Sequence, residues 1–127
     1  MADYAMVQWP WLENNRDGDD GRRPHSNSEH STIKREVHLE AHLLNTTKEL
    51  STLLLSKHRD YGPKNISLAP GGPLNGLRVR MHDKLARINN LIESGVAPDH
   101  ESLEDSFKDM ANYSIIGLLV LRGQWEE

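Results

Sequence analysis

Glu101, Asp105, Asp109 and Asn112 follow one another at offsets of four, four and three residues. A helix turns about 100° per residue, so these four side chains lie within roughly 80° of one another on one face. Carboxylates in such a row either hold a divalent cation through oxygen ligands or pair with lysines and arginines. The row runs on into Ile116 and Leu119. A line that passes from carboxylates into aliphatics enters a cavity or an interface, where an uncompensated charge is expensive. Leu103, Phe107, Met110, Ala111 and Leu118 form a second stripe. Terminus chemistry is the competing account, because Ser102 and Asp105 have the spacing of a capping box, and Glu101, Glu104 and Asp105 complement the dipole of a helix that starts there. Asp109 lies past the first turn, where Asp has no cap to make and is a poor helix former.

A second set is basic. Arg80, Asp83, Lys84 and Arg87 stand at i, i+3, i+4 and i+7 and share one stripe of another helix. Three cations suit phosphate oxygens, and Asp83 among them suits a Mg²⁺ shared with those phosphates. A solvated ladder with Asp83 bridging Arg80 and Arg87 fits the same residues. Ahead of it, "KHRDYGPKNISLAPGGPLNG" places Lys57, Arg59 and Lys64 around a Gly/Pro-rich connector that leads to a helix N-terminus. That is a seat for phosphate, or for a base stacked on Tyr61, although the segment matches neither the Walker A nor the dinucleotide pattern and also reads as a plain connector. Glu36 and Glu40 fall within an apolar sector of the first helix, which makes them secondary metal-ligand candidates or salt-bridge partners. His38 and His42 are one turn apart but lack the glutamate of HExxH and read as surface residues.

The elements that must position these groups are helices. Apolar residues recur at helical offsets from Ile33 to about Arg59, with no Gly or Pro between. The connector ends that helix near Tyr61 or Gly62. A second helix is predicted over about 74–94, with Leu77, Met81, Leu85, Ile88 and Ile92 on one face and Gly95 as its stop. A third runs over about 100–122, up to Gly123. No strand-like alternation or repeat occurs, so the fold class is all-α with three main helices. Residues 1–32 form a tail that is disordered or docked, since 13–32 are polar, charged and without periodicity, and 33–127 form one helical domain.

Composition narrows the function further. The chain of 127 residues is long enough for one domain with a modest core. It has no cysteine, which excludes disulfides and thiolate metal sites. A net charge of −4 argues against broad nucleic-acid binding. The longest apolar run, "SIIGLLVL", is too short for a membrane span, and the start lacks the basic region of a secretory signal, so a cytoplasmic location is expected. Acyl-transfer chemistry has neither a cysteine nucleophile nor a GxSxG elbow.

Three segments together, "KHRDYGPKNI", "GLRVRMHDKLARINNLI" and "ESLEDSFKDMANYSIIGLLVL", resemble the phage and bacterial family called nucleotide modification associated domain 1, over about residues 48–122. The most specific parts are KxxDYG at Lys57, Asp60, Tyr61 and Gly62, RxxDKxxR from Arg80 to Arg87, and EDxxxDxANY from Glu104 to Tyr113. The pairing of an acidic and a basic helix is also similar to MazG-like nucleotide pyrophosphohydrolases, in which carboxylates bind Mg²⁺ to cleave a nucleoside triphosphate into monophosphate and pyrophosphate. The MazG-like EExxE is absent, with "TKELS" at the comparable place.

The resemblance implies a phage-type nucleotide-binding protein acting as a Mg²⁺-dependent pyrophosphohydrolase in the host cytoplasm. Asp83, Asp105 and Asp109, with Glu40 as a secondary ligand, would carry the metal, and Asn112 would position water or ligand. Arg80, Lys84 and Arg87 would neutralise phosphates, while Lys57, Tyr61, Lys64 and Asn65 close over sugar or base. The third helix is apolar nearly all round at its end, so a homodimer or tetramer is expected to complete the burial. A non-catalytic module that binds or sequesters a nucleotide, and a purely structural helical oligomer, are the alternatives.

Overall fold

The computed structural model describes residues 27–126, all helix, turn and loop without a strand. The expected tail lies outside the described residues up to position 26. The chain divides into two compact units, Met1–Leu39 and Glu40–Glu127. Residues 27–39 of the first are helical, and the buried core lies within the second.

Among the described residues, four helices occur in the order α1 (Asn27–Tyr61), α2 (Lys64–Ser67), α3 (Pro73–Ser94) and α4 (Leu103–Leu121). Three are the expected ones, and α1 begins earlier than the apolar pattern suggested. Its end is where the sequence placed it, with the Gly62 N–H donating to the His58 carbonyl at 2.8 Å. The single turn α2, "KNIS", was not foreseen, because four residues between prolines carry no readable period. It buries Ile66.

Helix α3 opens with Pro73 at its first position, where a missing N–H removes no helical bond. It closes at Gly95, whose φ of +63° is the left-handed conformation that lets its N–H return to the Leu91 carbonyl. Near its start, Gly76 lets α2's trailing segment approach, since a Cβ there would lie 2.4 Å from the Cβ of Ala69. Helix α4 starts from a complete capping box: Ser102 Oγ accepts from the Asp105 N–H, and the Asp105 carboxylate accepts from the Ser102 N–H.

The core is small. Ile66, Leu77 and Ile116 form its buried cluster, with Leu54, Tyr113, Val120 and Trp125 packed around it, and α3 packs most extensively against α4. Ile88 is buried as well. Burial of each such side chain contributes about 1.5–3 kcal/mol. Along α1, by contrast, Val37, Leu39, Leu43, Leu44 and Leu55 are exposed. Among the described residues, no helix is long and apolar enough to cross a membrane.

Candidate functional site

Of the two stripes on α4, the polar one turns inward. Ser106, Asp109, Asn112 and Ile116 are its buried residues, spaced three, three and four apart, while Phe107 and Leu118 on the other stripe are about half exposed. The inward face is acceptable because every charge on it meets a partner. The Asp109 side chain is 9% exposed, and each of its oxygens takes a lysine: Oδ1 lies 2.7 Å from Lys57 Nζ and Oδ2 lies 2.8 Å from Lys84 Nζ. Lys84 also reaches Glu101 Oε2 at 2.8 Å, so one ammonium joins two carboxylates. Helices α1, α3 and α4 each supply one member of the Lys57, Lys84 and Asp109 trio.

Burial is the largest influence on the Asp109 carboxyl and by itself raises its pKa; the hydrogen bonds and charges of Lys57 and Lys84 together outweigh it and hold the group below the ordinary value of 3.8. Burial likewise pulls down on both lysines, and their carboxylate partners reverse it, leaving each above its usual value. A carboxyl whose folded pKa is depressed adds stability above its unfolded pKa, and that contribution is lost as the pH falls through the folded value. Folding stability is therefore expected to hold at neutral pH and to decline below about pH 4, with Asp109→Asn weakening that dependence. Urea midpoints measured from pH 3 to 6 check this; a constant difference between wild type and variant would contradict it.

Around the trio lies an open cavity of about 440 Å³, within the roughly 300–1,000 Å³ range of small-molecule sites. Lys57, Tyr61, Asn65, Arg80, Lys84, Asp109 and Asn112, all singled out from sequence, line it together. Arg80 donates to the backbone carbonyl of Asn65 at 3.1 Å, which holds α2 against α3. Asn112 donates through Nδ2 to the Leu50 carbonyl at 3.2 Å.

The remaining candidates are elsewhere. Asp83 is exposed and outside the cavity, and the anticipated Arg80–Asp83–Arg87 ladder gives way to separate partners for the two arginines. Arg87 donates to the Ser106 hydroxyl at 2.6 Å and to the carbonyls of Ser102 and Glu101, binding the start of α4 to α3. Asp105 is engaged in the capping box, whose hydrogen bonds from Ser102 hold its pKa below the usual value. Lys64 and Glu40 are exposed and take no part in the cavity wall.

Sequence reasoning missed two members. His58 and Trp125 meet edge to face, with ring centroids 5.1 Å apart, and both line the cavity. Trp125 Nε1 donates to the Pro63 carbonyl at 3.0 Å, fixing the indole beyond the end of α4. A tryptophan just past the Gly123 stop was the available signal. Glu101, first read as terminus chemistry or part of the acidic row, also stands in the wall.

The sequence model for nucleotide modification associated domain 1 matches residues 57–121, just over half of the chain. The chain belongs to that family. The matched span of the nucleotide modification associated domain begins at Lys57 and carries every charged side chain of the cavity wall, whereas Leu54 and Trp125 fall outside it. Neither a curated protein nor a solved structure matches the chain.

Proposed function

We propose that this cavity binds a nucleotide through its phosphate oxygens, with Lys57, Lys84 and Arg80 as donors. The observation that carries the proposal is the convergence of Lys57 and Lys84 on one buried carboxylate at the edge of an open cavity. Each ammonium has three N–H donors. Lys57 bonds Asp109 with one, and Lys84 bonds Asp109 and Glu101 with two. A phosphate entering the cavity meets the spare donors and competes with Asp109 for the others, while Asp109 holds the lysines in place until it arrives. The family's association with nucleotide modification supports a nucleotide as the ligand.

The second reading is Mg²⁺-dependent cleavage between the α and β phosphates, in the manner of MazG-like enzymes. The expected metal set of Asp83, Asp105 and Asp109 does not assemble, and among the described residues no group of three or more His, Asp or Glu side chains is placed to hold a metal. What favours this reading is that Glu101 and Asp109 share the Lys84 ammonium, which puts two carboxylates beside the phosphate donors.

Titration calorimetry with a panel of nucleoside mono- and triphosphates, followed by assay for pyrophosphate in the presence of Mg²⁺, separates the readings. Binding with the ligand recovered intact supports the first. Pyrophosphate release that Asp109→Asn abolishes establishes the second, and absence of both binding and release rejects both.

A further inference from the structure

Among the described residues, three buried side-chain polar atoms lack a hydrogen-bond partner, namely Asn112 Oδ1, Asn65 Oδ1 and His58 Nδ1, and all three residues line the cavity just described. Buried polar atoms are nearly always paired, so an orphan calls for a physical reason. Three on one wall point to a ligand that supplies their partners. Asn112 is the most informative, because the residue is only 6% exposed and its Nδ2 already donates to the Leu50 carbonyl. That bond fixes which end of the amide is which and leaves Oδ1 as an acceptor facing no donor.

Position decides what the donor belongs to. Asp109 and its lysines mark the phosphate end, and Asn112 lies one turn further along α4, towards Tyr113, Ile116 and the Trp125 ring. The seven helical steps from Asp109 to Ile116 span about 10 Å of helix axis. A nucleotide whose phosphate meets Lys57 and Lys84 therefore extends its base towards a carboxamide oxygen and an aromatic wall. Aromatic side chains accept any base by stacking. An orphan acceptor is selective, since it bonds an amino group and repels a carbonyl oxygen in the same place.

We propose that Asn112, with Asn65 also in the cavity wall, reads the exocyclic amino group of the base, so that the site prefers an amino-bearing nucleotide to its deaminated counterpart. The preference rests on the phosphate-binding reading above. Two pairs test it, CMP against UMP and AMP against IMP, because each pair exchanges the exocyclic amino group for an oxo group, and the adjacent ring nitrogen gains an N–H. The expected result by calorimetry on the full chain is at least a tenfold preference for the amino member of one pair. Asn112→Ala and Asn65→Ala should reduce that ratio, and a thermal melt on each identifies a variant that has lost its fold. The ratio is the diagnostic, since a merely structural role would lower both affinities together. Equal affinity within both pairs, with binding intact, overturns the base-reading proposal and leaves phosphate binding standing; no binding of any of the four overturns both.

Discussion

Lys84→Ala is expected to weaken nucleotide binding by roughly 10- to 150-fold, the equivalent of one lost charge-assisted hydrogen bond of about 1.5–3 kcal/mol. It should also lower folding stability, because Lys84 is the cation between Glu101 and Asp109. Removing it leaves two carboxylates drawn towards one point with only Lys57 as a neutralising neighbour. Breaking a buried pair costs about 3–5 kcal/mol. Glu101 is nearly half exposed and Lys84 about one-fifth exposed, so solvent screening brings the expected loss to about 1–2 kcal/mol. Calorimetry on a variant that remains folded, with Lys48→Ala, an exposed α1 lysine outside the cavity, as a control, separates the two effects. Unchanged affinity in folded Lys84→Ala would remove this lysine from the site.

Leu77→Ala should have the larger effect on the fold. Leu77 is 3% exposed and belongs with Ile66 and Ile116 to the buried cluster. Truncation there removes burial and leaves a cavity, at about 2–5 kcal/mol. Domains of this size are stable by only about 5–15 kcal/mol, so the loss corresponds to a Tm lower by roughly 10–20 °C. Leu44→Ala, on the exposed face of α1, should change stability by no more than about 0.5 kcal/mol. A urea titration in which the two variants lose similar midpoint stability would show that the core has been misplaced.

Helix ends were legible because they are local events. Gly62, Gly95, Ser102 and Gly123 stop or start helices through backbone chemistry that each carries within a few residues. The inward turn of the α4 carboxylate row was legible too, from its continuation into Ile116. Partners were harder to read. Lys57 and Asp109 are 52 residues apart and His58 and Trp125 lie 67 apart, and no periodicity within one helix records such a meeting. The distinction between Asp105 and Asp109 needed coordinates: both fit the acidic row, but only Asp105 had Ser102 within capping distance, and the cap claimed it. Arg87 shared a stripe with Lys84, yet lies level with the first turn of α4, where carbonyls and the Ser106 hydroxyl compete for its guanidinium. On α1 the apolar spacing told which residues share a sector, and it carried no information about whether anything covers Leu43 or Leu44.

Phosphate capture by the paired lysines is tested most directly by following the lysine side-chain NMR signals while a nucleoside monophosphate is added. The account predicts that Lys57 and Lys84 shift together, saturating at one ligand per chain, while Lys34 and Lys48 stay where they are. Saturable binding that leaves Lys57 and Lys84 unmoved would contradict it.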